Sequence, residues 1–283
     1  MLRGKDATLA AILQIIIEDE PETQDEIAEK LNISRRYVAK LLKPLLKEGA
    51  VRHPYVVDID KLSDMNIYNN IEKPINKILG LYEKMGDNVL YNLERVYDAL
   101  KHNNVELAKG IIFQDYRLNK MEDEIMVSIK TNTFKNTTMD QSLLLSTIAE
   151  NIERCGDYIS NIAEEIVNGL YLKYNVREDV EKIFDIIKNM FKYAIDRALN
   201  KESNYKIYDL EDELHKKLDE VLNKIKQDGC KSNDDINYYI QFGMFLKDVE
   251  RFGDRCIKIF EASRDFYHNY EKNCGDKSLK DLE

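Results

Sequence analysis

Two short stretches put carboxylates where chemistry could occur. Residues 151–162 read NIERCGDYISNI and residues 248–259 read DVERFGDRCIKI, so both hold Glu-Arg-x-Gly-Asp. On a helix, Glu153 and Asp157 lie four apart and share a face, as do Glu250 and Asp254. They fall beside the apolar stripe of Ile148, Ile152, Cys155, Ile159 and Ile162. Two carboxylates on that shoulder repel each other unless positive charge stands between them. An arginine or a metal ion would serve. On the preceding helices Asp115, and in the second copy Asp209 with Glu213, could face the same shoulder. An all-carboxylate set suits hard cations such as magnesium, manganese or iron, and not zinc held by thiolates. The competing reading is that Arg154 and Arg251 pair with neighbouring carboxylates and nothing binds. A glycine inside a helix costs about 0.5–1 kcal/mol relative to alanine. Gly156 and Gly253 therefore mark a place where another helix or a ligand comes close.

Other reactive chemistry is not assembled. The four histidines (His53, His102, His215, His268) are isolated, and no Glu-x-x-His pair of the di-iron bundle kind occurs. There is no glycine-rich phosphate loop, no G-x-S-x-G and no Cys/His nucleophile pair. The expectation is a protein that is not an enzyme. Glu83-Lys-Met-Gly-Asp87 imitates the motif's spacing but lacks the arginine before glycine.

The elements that must position these carboxylates are helices. All four prolines lie within the first 74 residues, and beyond them apolar residues recur every three or four positions. Polar breaks at 102–106, 131–141, 168–176, 200–206 and 227–235 leave six helices between about 66 and 270. The third, near 141–168, opens on a capping-box pair, Thr138 and Gln141, and would run about 40 Å. The two motif copies stand 97 residues apart, and Ala99-Leu100 resembles Ala198-Leu199 at nearly the same offset. The fold class read from this is mainly all-α, with two tandem antiparallel three-helix bundles.

A differently built module precedes them. Residues 7–56 read as helix, turn, helix, tight turn, helix and a short extended piece. Thr23 and Glu26 open the second helix, Ser34 caps the third, and Gly49 suits the left-handed position after it. The tail AVRHPYVVDI could pair as a strand, giving a winged helix-turn-helix. From Glu18 to Glu29 there are seven acidic residues and no basic one; from Lys30 to Arg52 there are seven basic residues against Glu48. A basic third helix after a neutral turn is what phosphate contact and major-groove reading require. Ser34, Arg35, Arg36 and Tyr37 stand at its reading end, with Lys40 and Lys43 following along the exposed side. Pro44 removes one helical hydrogen bond, to the carbonyl of Lys40. Winged helices also mediate protein contacts, and that is the alternative reading.

Composition sets the compartment. The net charge is −10, and residues 1–56 carry nine basic and nine acidic residues, so the excess acid belongs to the helical region. No stretch approaches the ~18–20 apolar residues of a membrane span. The N-terminus has no small-residue cleavage site. Cys155, Cys230, Cys256 and Cys274 form no CxxC pair, so reduced thiols and a cytoplasmic location are expected. The domain boundaries expected are 1–60 for the winged helix-turn-helix, 66–170 and 175–270 for the bundles, and 271–283 for a charged tail.

With NIERCGDYISNIAE (151–164) and DVERFGDRCIKIFE (248–261) each closing a three-helix unit, residues 66–270 resemble the PhoU family of phosphate-uptake regulators. The resemblance implies a cytoplasmic, often dimeric regulator that acts on a Pst-type phosphate transporter and its signalling partner. It also implies carboxylate-bound metal clusters at Glu153, Asp157, Glu250 and Asp254, with Asp115 and Asp209 from the second helices. Two departures are present. Asn119 replaces the acid that the family commonly has four residues after Asp115, and NTTMDQSLLL replaces the family's proline and Asp-Leu-Arg before the third helix. The first cluster is thereby expected to be poorer in metal than the second, or absent. In the second repeat Asp209 and Asp212 both remain open as the matching acid. The fused N-terminal module implies a homodimeric regulator that binds the operator of phosphate-transport genes directly.

Overall fold

The computed structural model describes residues 4–19, 21–52, 55–57, 74–130, 138–201, 205–229 and 236–279. They fall into two compact units, one holding the N-terminal module and the other the helices from Leu79 onward.

In the first unit α1 (Lys5–Asp19), α2 (Gln24–Lys30) and α3 (Arg35–Glu48) precede a hairpin of β1 (Val51–Arg52) and β2 (Val56–Val57). The local chemistry is as the residues dictate. The Thr23 side chain accepts from the Glu26 amide, and Ser34 Oγ accepts from the Tyr37 amide. Each satisfies one of the free amides at a helix start. Asn32 at φ 52° makes the tight turn, and Gly49 at φ 72° ends α3. The hairpin pairs Val51 with Val57 and Arg52 with Val56, antiparallel. Ile12, Leu13, Ile16, Ile27, Val38, Leu41 and Leu42 form the core with the hairpin's Val51. His53 and Pro54 of the expected wing lie outside the described residues.

The first repeat is made by α4 (Pro74–His102), which enters the second unit at Leu79, with α5 (Val105–Ile112), α6 (Tyr116–Lys130) and α7 (Met139–Val167). After a short 3₁₀ turn at Tyr174–Val176, α8 (Arg177–Ala198), α9 (Ile207–Gly229) and α10 (Ile236–Leu279) make the second. The helix expected between the first two breaks is thus two pieces, α5 and α6, divided just before Tyr116. The α7 capping box is complete: Gln141 donates its amide to Thr138 Oγ1 at 3.2 Å, and the Thr138 amide donates to Gln141 Oε1 at 2.9 Å. Leu145, Ile148, Ile152, Cys155, Ile159, Ile162 and Ile166 bury one face of α7, the three- and four-residue spacing seen in the sequence. Of the residues read as a charged tail, 271–279 continue α10.

The repeats share one core. Phe184 of α8 meets Tyr97 of α4 at 4.9 Å between ring centroids, and Lys101 pairs with Glu181 at 3.4 Å. Gln241 of α10 donates to the Asn168 carbonyl just past α7, and farther along Arg255 donates to Asn151 and Tyr158. In each pairing a rising number on one helix meets a falling number on the other. First helix therefore lies antiparallel to first helix, and third to third. Tyr82 Oη donates to the Leu145 carbonyl and Tyr267 Oη to that of Ala198, tying first helices to third. No described helix is long and apolar enough to cross a membrane.

Candidate functional site

The glycines of the two motifs are explained by packing. A Cβ on Gly156 would stand 2.2 Å from Leu118 Cδ1 of α6, and one on Gly253 would stand 2.5 Å from Leu214 Cδ2 of α9. What comes close is the second helix of the same repeat, through a buried leucine. That leucine fixes the register of helix two against helix three. Asp115 precedes Leu118 by three residues and Glu211 precedes Leu214 by three. The acid of repeat two that corresponds to Asp115 is therefore Glu211. Asp209 and Asp212, between which spacing leaves the choice open, stand exposed on α9.

In the first repeat four carboxylates gather along the α6–α7 seam. Asp115, at the start of α6, accepts from Ser160 Oγ of α7 at 2.8 Å. Burial, Asp157 and Glu122, in that order, push the Glu153 carboxyl up to about 7, with Arg154 opposing them. Asp157 is also raised, by burial first and then by Asp115. Glu122 of α6 is raised by burial and by Glu150. Arg154 reaches Asp157 at 3.5 Å from a half-exposed position, so one exposed guanidinium neutralises only part of the cluster. Oxygen donors are the type a hard divalent cation takes, but among the described residues no three of these carboxylates bring ligand atoms within 4.8 Å of one another, as the second repeat's group does. Sequence reasoning missed Glu122. The signal for it is its place seven residues after Asp115, on the same face of α6.

In the second repeat Glu211 and His215, one turn apart on α9, meet Asp254 of α10, with one donor atom from each within 4.8 Å of the others. Burial raises the Glu211 carboxyl, His215 opposes that, and Asp254 adds to it. Glu250 pairs with Lys247 at 2.7 Å along its own helix. Glu213 is exposed on α9 and outside the Glu211–His215–Asp254 group. His215 stands four residues after Glu211, where the first repeat has Asn119. The second site thus mixes an imidazole nitrogen with carboxylates, a set that also admits first-row transition metals. The histidine looks isolated in the sequence because its partners lie one turn away and on another helix.

In the N-terminal unit α3 buries Val38, Leu41, Leu42 and Leu45 and turns Arg36, Lys40, Lys43 and Lys47 outward along one stripe. Pro44 lies inside α3 on an exposed position, and the helix runs through it. Ser34 spends its hydroxyl as the cap, and Tyr37 packs partly against the core. Arg35 is exposed but pairs with Asp25 of α2 at 3.3 Å. Lys47, at the far end of the stripe, extends the basic face beyond the residues that spacing singles out.

Comparison with known proteins agrees with this division. Residues 82–166 and 180–263 each match the PhoU domain, and residues 5–52 match winged helix-turn-helix DNA-binding domains. An uncharacterized protein of Methanocaldococcus jannaschii is 50% identical over 280 residues, covering 99% of this chain and 96% of that one. Among solved structures, PhoU from Pseudomonas aeruginosa superposes with a TM-score of 0.61 at 17% identity, covering 69% of this chain and 98% of that one. The phosphate transport system regulatory protein PhoU from Streptococcus pneumoniae gives 0.57 at 19%, covering 69% and 93%. These last two speak for the fold.

Proposed function

The chain belongs to the PhoU family and carries a winged helix-turn-helix before its two PhoU repeats, and from that premise we propose a phosphate-responsive regulator that binds DNA itself. In this reading it is a negative regulator of phosphate-transport genes, acting as a cytoplasmic homodimer on a pseudo-palindromic operator. The PhoU repeats receive the signal from metal or from a Pst-type transporter and its signalling partner. The observation that carries the reading is the outward stripe of Arg36, Lys40, Lys43 and Lys47 on α3, four cations on the one helix face that the core leaves free. Such a stripe suits phosphate neutralisation, and in this reading Arg35 at the helix start reaches base edges.

In the first repeat Asp115, Glu122, Glu153 and Asp157 would hold divalent metal only by drawing closer together than they stand in the metal-free fold. In the second it would be held by Glu211, His215 and Asp254, while Glu250, one turn before Asp254, is engaged by Lys247. Iron, manganese or magnesium fits the first set, and iron or manganese fits the second better than magnesium because of the imidazole. Bound metal would supply charge neutralisation across the seam between second and third helices.

The test is binding to duplex DNA from upstream of the host's phosphate-transport genes, across a salt series. Wild type is compared with Arg36→Ala/Lys40→Ala. Tight binding that falls steeply with salt and collapses in the variant supports the reading. Equal weak binding by both rejects it. A second reading, a factor that docks on the transporter or its signalling partner, is favoured by one observation. Met139 and Leu143 at the start of α7, and Ile236, Ile240 and Met244 at the start of α10, are exposed at corresponding places in the two repeats.

A further inference from the structure

We propose that Asp25 is a competitor for Arg35 built into the DNA-binding face, holding that guanidinium off the duplex and so limiting affinity. The inference rests on the DNA-binding reading above. Asp25 Oδ2 lies 3.3 Å from Arg35 NH1, with both side chains about two-thirds exposed at 65% and 68%.

The pair has no evident task in the fold. Helix α2 is capped by Thr23, whose hydroxyl takes the Glu26 amide and donates back to Glu26 Oε1 at 2.9 Å. Glu26 also accepts from the Glu22 amide at 3.3 Å. Asp25 takes no part in that exchange. An ion pair this exposed contributes little to stability. Arg35, however, is the first residue of α3, and in helix-turn-helix docking the recognition helix touches bases and phosphates through its N-terminal turn. Arg36, Lys40, Lys43 and Lys47 form no ion pair with a described residue, so Arg35 differs from the rest of the basic face.

Docking then works against Asp25 twice. Arg35 must exchange a carboxylate for a phosphate or base, and the carboxylate it leaves faces the phosphate backbone, where like charge repels. Removing the charge of Asp25 releases both terms. The first of these terms exists only with Arg35, and that dependence separates competition from a general field of the acidic α1–α2 region.

The experiment uses the full chain and a 30-bp duplex of random sequence, with wild type, Asp25→Asn, Arg35→Ala and the double variant. Asp25→Ser serves as a second replacement that keeps a residue tolerated in the first helical turn, and melting curves check folding. We expect Asp25→Asn to bind about 3–10-fold more tightly at low salt. Its slope of log affinity against log salt should steepen by roughly 0.9, one added phosphate contact. In the Arg35→Ala background only the repulsion between Asp25 and phosphate is left to release, so the same change should gain clearly less than it does with Arg35 present. A gain of equal size without Arg35, or no gain with it, overturns the proposal. If wild type and Lys40→Ala/Lys43→Ala bind indistinguishably and without salt dependence, the DNA-binding reading itself has failed and takes this one with it.

Discussion

Leu118 occupies the space that a side chain at Gly156 would need, with 2.2 Å between its Cδ1 and a Cβ placed there. Leu118 is itself buried, so it has little room to turn away. Gly156→Ala should therefore be destabilising despite alanine's helix preference. Overpacking costs about 1–3 kcal/mol and the propensity gain returns about 1 kcal/mol, leaving a net loss of up to roughly 2 kcal/mol. Gly243 is the control, since a Cβ there would meet nothing within 4 Å, and alanine at that position should raise the melting temperature. Adding Leu118→Ala to Gly156→Ala should relieve the clash but open space elsewhere, so a strictly additive loss in the double variant would refute the contact.

The second-repeat cluster predicts a metal preference. Titrating chelator-treated chain with Mn²⁺ or Fe²⁺ should raise its melting temperature, since a ligand at 100 times its dissociation constant stabilises by about 2.7 kcal/mol. His215→Ala should weaken Mn²⁺ or Fe²⁺ more than Mg²⁺, because it removes the nitrogen donor. Asp209→Asn should leave all three unchanged. A loss with Asp209→Asn equal to that with Glu211→Gln would contradict the register set by Leu214.

Glu153 predicts a pH dependence of the metal-free chain. Its carboxyl sits at about 7 in the fold against an ordinary 4.5. Between those values the folded state holds a proton that the unfolded state has released, so stability falls as pH rises through that window. Glu153→Gln should flatten the melting temperature between pH 5 and pH 8 and lie above wild type at pH 8. Identical pH profiles would remove the assignment.

Lys40 and Lys43 predict a salt dependence. If each meets a phosphate, the double alanine variant should lower the slope of log affinity against log salt by roughly 1.8 and weaken binding alike on all sequences. A sequence-selective loss with an unchanged slope would instead place them at base edges.

Much of the architecture was legible because it rests on local rules. Thr138 with Gln141, Ser34, and Gly49 announce helix ends through backbone groups that must be satisfied nearby, and α7 shows its buried face in the spacing of Ile148 to Ile166. The duplication was legible because Glu-Arg-x-Gly-Asp recurs. The division of helix two at Tyr116, the partnership of Glu122 with Glu153, and the company His215 keeps were not, since each depends on which residues of another helix lie opposite.

The sequence was thus sufficient for the all-α repeats, the N-terminal winged helix and the existence of acidic shoulders at Glu153–Asp157 and Glu250–Asp254, because period, caps and composition are properties of neighbouring residues. Tertiary structure alone decided what approaches the glycines and which acids face the shoulders. A leucine in van der Waals contact with a glycine sets the rotation of one helix against another to within a residue. Moving that register by two residues would exchange Glu211 for Asp209, a difference that no local pattern encodes.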